Sequence, residues 1–328
     1  MLLNLIIPTQ ITDKVFMKKA YELSERLCKE VASVIQDKDE QIRLIIATWF
    51  AEGHVLLEDV PGTGKTILAK AIAKATSVDF ARAQFTPDLL PSDLTGTMIY
   101  DAESKKFKLL KGPVLTTLFL ADEINRATPR TQSALLEAMA ERQVTMDNKN
   151  FKLNDLFFTI ATQNPLEQKG TFPLPEAQLD RFAVQLSLGY PNKENELELI
   201  KKRMNQDPID SIESILTEKE LIYIRQKIQD VKVDDSIYEY AVDIVTATRN
   251  HPEIKIGVSP RASITLVKVA RALSLLKGES YVKPSTIYYL APYVINHRLT
   301  LTTEARYSGK QKEDILSMIM SKVRTPTV

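Results

Sequence analysis

The sequence predicts an α/β fold in which helices cover both faces of a parallel sheet, followed by a smaller, all-helical domain. Three observations lead to this prediction. Apolar strand patterns alternate with amphipathic helix patterns up to about residue 190, a glycine-rich segment joins the first strand to the next helix, and only helical patterns follow. Strands that alternate with helices are typical of parallel sheets with both faces covered.

The elements of the first domain follow from the spacing of apolar residues. In Thr12–Gln36 they recur with helical spacing, whereas His54–Glu58 is a short apolar run before a turn. The predicted helices are Thr12–Gln36, Asp39–Ala51, Lys65–Thr76 and Pro129–Arg142, and the predicted strands are His54–Glu58, Val78–Phe85, Thr117–Ala121, Leu156–Ala161 and Ala183–Leu188. Ligands of such sheets bind at the carboxyl ends of the strands, so a functional site is expected there.

Two segments interrupt this alternation. Between Pro87 and Pro113, prolines and glycines surround an alternating stretch, Met98–Leu110, which predicts an inserted hairpin. The segment Val144–Leu153 predicts a second hairpin that turns at Asp147–Asn150, because Asn and Asp tolerate the backbone angles of tight turns.

The second domain is predicted from a change of pattern after residue 190. Its helices are expected near Glu194–Met204, Glu218–Ile228, Asp235–Arg249, Arg261–Leu276 and Ser285–Leu299. We therefore predict two domains, 1–190 and 191–328, and this division suits a chain of 328 residues because domains usually have about 100–200 residues.

Composition excludes several classes of protein. The formal net charge is only +1, from 43 basic and 42 acidic residues, so no global field attracts nucleic acid or an anionic membrane. No apolar run approaches the roughly 20 residues that span a bilayer, and Met1–Gln10 has no basic residue ahead of its apolar run, unlike a signal peptide. The single cysteine, Cys28, is expected in the core, and the three histidines lack metal-ligand spacing. We expect a cytoplasmic protein without a membrane span.

The glycine-rich segment has the properties of a phosphate-binding loop. It lies between the strand His54–Glu58 and an amphipathic helix, where backbone N–H groups and the helix N-terminus face an anion together. The residues expected to bind the nucleotide are Pro61, Gly62, Thr63, Gly64, Lys65, Thr66 and Ile67. Lys65 would reach the terminal phosphates, and the Thr66 hydroxyl would bind Mg²⁺. Asp59 replaces the glycine that usually begins this pattern, which weakens the match, although Asp can adopt left-handed backbone angles at modest cost.

Polar residues at the ends of two further strands complete the expected site. The strand Thr117–Ala121 leads into Asp122, which would hold Mg²⁺, and Glu123, which would polarise the attacking water. Asn164 follows the strand Leu156–Ala161 and would contact the γ-phosphate or the water. The predicted fold is thus an αβα sandwich of the P-loop nucleoside-triphosphatase type with ATP and Mg²⁺ as ligands. ATP is preferred over GTP because the guanine-reading Asn-Lys-x-Asp segment is lacking.

The motifs together resemble a known family. The segments EDVPGTGKT, LADEINRA, ATQNP, EAQLDRF and GVSPRAS, in this order and spacing, look like those of the MoxR ATPases of the AAA+ superfamily, the helix-2-insert group. By this resemblance Asn164 is the sensor-1 residue, Arg181 is the arginine finger and Arg261 is the sensor-2 residue. Ser259 is expected to cap a helix that begins at Pro260, which places Arg261 on its first turn.

The resemblance implies a hexameric ring, with Arg181 entering the ATP site of the neighbouring subunit. It also implies a chaperone-like role in the maturation or remodelling of a protein client, contacted through the two hairpins, often with a partner that carries a von Willebrand factor A domain.

Three alternatives remain open. An AAA+ motor on nucleic acid would use the same catalytic residues, but the near-zero net charge disfavours it. A magnesium-chelatase-like ATPase subunit would differ in its partner. A nucleotide-gated scaffold with little hydrolysis is disfavoured because the set Lys65, Asp122, Glu123, Asn164 and Arg181 is complete.

Overall fold

The computed structural model describes residues 9–146, 149–165, 170–204 and 208–327. The helices are α1 Thr9–Ala32, α2 Asp39–Phe50, α3 Lys65–Ala75, α4 Pro91–Thr95, α5 Pro129–Glu141, α6 Glu176–Leu179, α7 Lys193–Arg203, α8 Glu218–Lys227, α9 Asp235–Arg249, α10 Pro260–Leu276, α11 Pro284–Ile295, α12 Thr303–Tyr307 and α13 Lys312–Lys322. The strands are β1 Val55–Glu58, β2 Phe80–Gln84, β3 Gly96–Asp101, β4 Lys106–Lys111, β5 Leu118–Asp122, β6 Gln143–Met146, β7 Lys149–Lys152, β8 Phe158–Gln163, β9 Val184–Leu186, β10 Ile254–Ile256 and β11 Thr300–Leu301.

Five parallel strands form the central sheet, in the order β2-β5-β8-β1-β9. The register pairs Gln84 with Asp122 and Glu58 with Gln163, so the carboxyl ends of β1, β2, β5 and β8 lie side by side. All five strands and the four helices predicted for this domain occur, with ends that differ from the prediction by at most four residues. The predicted αβα sandwich with a parallel sheet is confirmed.

Helices cover both faces of the sheet because its central strands are apolar on both sides. Every residue of β5 is buried, as are Val55, Leu56 and Leu57 of β1. On one face, Trp49 of α2 stacks on Phe158 at a ring-centroid distance of 5.5 Å. That apolar core continues without interruption into the helices of the second domain, which we call the lid, whereas α5 and the β6–β7 hairpin pack on the other face. The predicted division at residues 190 and 191 therefore remains a proposal.

Both predicted hairpins are present. Strands β3 and β4 pair antiparallel within the insert, and the short helix α4, which begins at Pro91, precedes them as an element that was not predicted. Strands β6 and β7 form the second hairpin. The centre of its expected turn, residues 147–148, lies outside the described residues. Residues 1–8, in the segment that was expected not to be a signal peptide, also lie outside them.

The lid departs in one detail from the all-helical prediction. All five predicted lid helices occur, but β10 and β11 form a small antiparallel sheet, and α12 and α13 follow it. Strands of two or three residues are too short to produce a recognisable alternation of apolar residues, and they pair across more than 40 residues of chain. Cys28 is buried in the core as expected, and burial raises the pKa of its thiol to about 12.

Candidate functional site

The predicted phosphate loop connects β1 to α3. Gly62 and Gly64 have φ angles of +88° and +89°, in the left-handed region that favours glycine. Gly64 directly precedes α3, so the loop curls over the N-terminus of that helix. A side chain added at Gly62 would meet no atom within 4 Å, because the loop opens onto free space there. This geometry suits the close approach of a phosphate to backbone amides.

The loop forms one wall of a cleft of about 310 Å³ at the carboxyl ends of the strands. We call this the phosphate end of the sheet, and its lining residues are Pro61, Gly62, Thr63, Gly64, Lys65, Thr66, Ile67, Arg82, Gln84, Asp122, Glu123, Thr162, Gln163 and Asn164. The cleft thus brings together all the residues predicted for nucleotide and magnesium, and also Glu123 and Asn164.

Lys65 folds back onto its own loop. Its Nζ donates hydrogen bonds to the carbonyl oxygens of Asp59 (3.0 Å) and Val60 (2.9 Å). Burial lowers the pKa of Lys65, while the nearby carboxylates of Asp59, Asp122 and Glu123 act in the opposite direction. The ammonium group is therefore held within the loop, ready to exchange two carbonyl partners for phosphate oxygens.

Asp59 does not behave as the sequence suggested. It is absent from the residues with left-handed backbone angles, so the tolerance of Asp for such angles is not used here. Its side chain is 4% exposed, and its carboxylate accepts hydrogen bonds from Ser187 Oγ (2.6 Å), Leu188 N (2.7 Å) and Gly189 N (3.0 Å). The residue at the start of the loop thus binds the segment that follows β9.

Asp122 lies where a magnesium ligand is expected. One of its carboxylate oxygens accepts a hydrogen bond from Thr162 Oγ1 (2.7 Å), and the other pairs with Arg82 Nη2 (2.7 Å). A carboxylate oxygen and the Thr66 hydroxyl in the same cleft are hard oxygen donors of the kind that Mg²⁺ prefers. The residues therefore fit a magnesium ion, with the positive charge of Arg82 as the feature that opposes it.

Glu123 is held in an unusual conformation. Its φ and ψ are +57° and +52°, left-handed values that cost a residue with a side chain of this size about 1–3 kcal/mol. Its N–H donates to Thr162 Oγ1 (2.8 Å), and its carboxylate accepts hydrogen bonds from Gln84 Nε2 (2.8 Å) and Arg126 Nη1 (2.9 Å). The strained backbone aims this carboxylate into the cleft rather than along the strand.

Arg181 and Arg261 lie elsewhere, in a second cleft of about 330 Å³. This cleft is lined by Ala51, Glu52, Gly53, His54, Met139, Ala140, Arg142, Asp180, Arg181, Ala183, Arg261, Ile264, Thr265, Lys268, Val269 and Arg298. Residues 51–54 precede β1 and residues 180–183 precede β9, so this cleft lies at the amino ends of the strands. We call it the arginine end of the sheet.

Asp180 organises the arginine end. Its carboxylate pairs with Arg298 Nε (2.8 Å) and Arg261 Nη1 (3.2 Å) and accepts a hydrogen bond from Ser259 Oγ (3.1 Å). Ser259 therefore bonds to Asp180 and makes no side-chain cap on α10, so the expected capping role was wrong, although Pro260 does begin the helix. Arg181, the next residue along the chain, donates from Nη1 to the carbonyl oxygen of Leu136 (2.8 Å).

The two arginines on Asp180 differ in exposure. The Arg298 side chain is 2% exposed and also donates to the carbonyl oxygens of Phe182 (2.6 Å) and Ala183 (3.2 Å). Burial lowers the pKa of Arg298, and its bond to Asp180 opposes that shift. The Arg261 side chain is 57% exposed. Arg298 is therefore fixed in the structure, and Arg261 is available to an incoming anion.

Buried histidines also support the arginine end. His54 Nδ1 accepts a hydrogen bond from Thr159 N (3.0 Å). Burial, and to a smaller extent the positive charge of Arg142, lowers the pKa of His54 to about 3. Burial and the charge of Arg298 likewise lower the pKa of His297. Both rings are neutral packing residues, in agreement with the absence of metal-ligand spacing. Within the described ranges no group of three potential metal-binding side chains occurs.

Several residues of the two clefts were not identified from the sequence. Arg82 and Gln84 share one face of β2, and the alternation of polar residues there could have shown that they face the neighbouring strand end. Thr162 lies in a recognised polar strand end but was given no role. Arg298 carried no local signal, because its partner Asp180 is 118 residues away in the sequence.

Comparison with known proteins gives matches over most of the chain. Residues 54–184 match the model of the ATPase family associated with various cellular activities (AAA), and residues 246–319 match that of the AAA lid domain. Chaperone MoxR1 of Mycobacterium tuberculosis is 38% identical, with 93% of this chain and 82% of MoxR1 covered. The uncharacterised Bacillus subtilis protein YeaC is 47% identical, with 95% of this chain and 97% of YeaC covered.

A solved structure agrees with the fold. The crystal structure of a presumed ATPase from Cytophaga hutchinsonii superposes with a TM-score of 0.91 at 37% identity, and the superposition covers 97% of this chain and 99% of that one.

In the part of the chain that the structure describes, no helix is both long and apolar enough to cross a membrane.

Proposed function

The chain belongs to the MoxR family of AAA+ ATPases, and from that premise we propose that it hydrolyses ATP between the subunits of a ring, in the cytoplasm, to remodel a protein client. The observation that carries this proposal is the separation of the two clefts. Glu123, Lys65 and Asn164 lie at the phosphate end, whereas Arg181 and Arg261 lie at the arginine end.

The separation is too large for both clefts to serve one bound nucleotide. They lie beyond opposite ends of β1, whose four residues span roughly 13 Å at about 3.3 Å per residue. An arginine side chain at one end cannot reach a phosphate at the other. A second copy that presents its arginine end to the phosphate end of the first would supply the missing cations. Such a head-to-tail contact closes into a ring when the rotation between copies allows it, and a hexamer is the size that the family favours.

The chemistry at the phosphate end follows from its side chains. The loop amides and Lys65 would bind the terminal phosphates of ATP. Mg²⁺, held by Thr66 and Asp122, would neutralise phosphate charge when bound. Glu123, once released from Gln84 and Arg126, would accept a hydrogen bond from the attacking water and take up its proton. Asn164 would orient the γ-phosphate or that water, and Arg181 and Arg261 of the neighbouring copy would stabilise the charge that develops on it.

The output of the cycle is proposed to be remodelling of a protein. The relative MoxR1 is named a chaperone, and the near-zero net charge of this chain offers no general attraction for nucleic acid. The antiparallel hairpin β3–β4 exposes Tyr100 and Phe107, aromatic side chains suited to contact a client. A partner with a von Willebrand factor A domain would recruit that client.

Mixing two inactive variants tests the shared site. Arg181→Ala leaves the phosphate end intact, and Lys65→Ala leaves the arginine end intact, so a contact between the two variants contains one complete site. Each variant alone should show turnover reduced by about 10³-fold or more. An equal mixture at ring-forming concentration should recover about one quarter of the wild-type activity, since random assembly makes about one contact in four complete.

The matched control mixes Lys65→Ala with Glu123→Gln. Both of these substitutions damage the phosphate end, so no contact in the mixed ring is complete and activity should stay at the level of the separate variants. If the first mixture is as inactive as this control, Arg181 does not act on a neighbouring site.

A further inference from the structure

Asp59 joins the phosphate loop to the start of the lid. Its buried carboxylate accepts three hydrogen bonds, and all three donors come from the consecutive residues Ser187, Leu188 and Gly189. These residues follow β9, the last strand of the sheet, and lead into the lid. The usual glycine could not make these bonds, so the departure from the common phosphate-loop pattern has a structural consequence.

The segment that Asp59 binds is anchored on its other side as well. Lys38 Nζ donates to the carbonyl oxygen of Tyr190 (3.3 Å), and Asn192 Nδ2 donates to the carboxylate of Asp37 (3.1 Å). Gly189, with φ of +66°, allows the sharp turn between the two sets of contacts. We call residues 187–192 the lid linker. It is held between the phosphate loop and the segment before α2.

Asp59 also takes part in one of the two contacts that phosphate binding must change. Its carbonyl oxygen accepts a hydrogen bond from Lys65 Nζ (3.0 Å), and the ammonium group has to leave this oxygen to reach a phosphate. The backbone of Asp59 therefore responds to nucleotide, and its side chain holds the lid linker. Both effects act through a single residue that is 4% exposed and so has little freedom to absorb them.

We propose that Asp59 is a positioning residue that couples nucleotide binding at the phosphate loop to the position of the lid. Release of Lys65 from the Asp59 carbonyl shifts the start of the loop, and the carboxylate passes this shift to Leu188 and Gly189. The lid carries Arg261, so this coupling also sets the arginine end that meets the next subunit. The inference rests on the proposed function only where it concerns turnover.

The test compares Asp59→Gly with the wild-type protein. This substitution restores the common loop pattern, so affinity for a fluorescent ATP analogue should stay within about threefold of wild type. Hydrogen exchange of a peptide that covers residues 183–192 should slow on ATP binding in the wild-type protein and should no longer respond in the variant. Turnover should fall by about tenfold or more with KM changed by less than about threefold, because the defect lies in the motion that follows binding.

Two further variants separate coupling from general damage. Ser187→Ala removes one of the three donors and should reduce the exchange response and turnover in the same direction, but less. Asp234→Gly removes a carboxylate that accepts from a serine hydroxyl (2.6 Å) and a backbone amide (3.0 Å) of Ser236 in the lid, and it should leave both readouts unchanged.

The outcomes distinguish this inference from the proposed function. An Asp59→Gly protein that keeps the ATP-dependent exchange response and normal turnover overturns the coupling, and so does a loss of more than about tenfold in ATP affinity, which would assign Asp59 to binding itself. A wild-type protein that shows the exchange response without turnover contradicts the proposed function. Loss of that response in Asp59→Gly would then still support the coupling.

Discussion

The phosphate end and the arginine end of the sheet are built in different ways. The phosphate end is a continuous cleft whose residues come from strand ends and one loop, all within the first 164 residues. The arginine end is assembled from residues 51–54, 139–142, 180–183 and the lid, and Asp180 connects its own segment to Arg261 and Arg298 of the lid. The first can bind a nucleotide by itself. The second presents the guanidinium groups of Arg181 and Arg261, but the nucleotide that they would contact binds to another copy of the chain in the proposed ring.

The difference indicates how binding and hydrolysis are divided. A bound nucleotide would meet Lys65 and Glu123 of its own chain regardless of assembly. It would meet Arg181 and Arg261 only after a second copy has docked, so turnover becomes conditional on the ring. If the ring forms as proposed, specific activity should therefore depend on protein concentration.

The largest effect is expected for Glu123→Gln at the phosphate end. The amide cannot take up a proton from water, so turnover should fall by about 10²–10⁴-fold. ATP affinity should change little, because Glu123 contacts Gln84, Arg126 and Thr162 rather than the phosphate loop. Single-turnover hydrolysis and equilibrium binding of a fluorescent ATP analogue measure the two quantities. Turnover within tenfold of wild type would remove Glu123 from the role of base.

The next prediction compares the two arginines that share Asp180. Arg298→Met leaves a carboxylate and the carbonyl oxygens of Phe182 and Ala183 without a buried partner, and should lower the free energy of unfolding by about 3–5 kcal/mol. Arg261→Met removes an exposed partner and should lower it by about 1 kcal/mol at most. Urea unfolding, followed by the fluorescence of the single buried tryptophan, Trp49, measures both.

Turnover should reverse this order of importance. Arg261→Met should lose most of its ATPase activity while it remains folded, because its guanidinium is the one available to a neighbouring phosphate. Equal losses of stability in the two variants would mean that the buried and exposed arginines have the same structural role, and the contrast drawn between them would fail.

The same contrast explains which parts of the molecule could be predicted from sequence. The phosphate end was predicted almost completely, since glycines, apolar strands and the residues just after them are local signals. Arg181 and Arg261 were identified only through the family resemblance. Their common location depends on the contact of Arg261 with Asp180, 81 positions away, and the buried Arg298 lies 118 positions from the same Asp180. No local pattern records such contacts.

Asp59 shows a second limit of prediction. From the sequence it was an imperfect match to a glycine position, explained by tolerance of left-handed backbone angles. The structure gives it ordinary backbone angles and a carboxylate bound to Ser187, Leu188 and Gly189. A residue that departs from a motif can therefore be informative. The motif reflects what ligand binding requires at each position, whereas the departing residue reflects the other contacts that its position makes.

The smallest predicted effect concerns Arg82, whose guanidinium pairs with the carboxylate expected to hold magnesium at the phosphate end. Its Nη2 lies 2.7 Å from Asp122 Oδ2, the carboxylate expected to face the metal, and its side chain is 44% exposed. Removing this charge by Arg82→Gln should tighten the apparent affinity for Mg²⁺ in the presence of ATP, because the metal no longer competes with the guanidinium for Asp122. An exposed ion pair contributes at most about 1 kcal/mol, so the change in apparent Mg²⁺ affinity should not exceed about fivefold.

The ATPase rate measured as a function of Mg²⁺ concentration gives this apparent affinity. Lys111→Gln on the exposed β4 strand is the control for a lost positive charge. If the apparent Mg²⁺ affinity is unchanged in Arg82→Gln, or rises equally in Lys111→Gln, then Arg82 does not compete with the metal for Asp122.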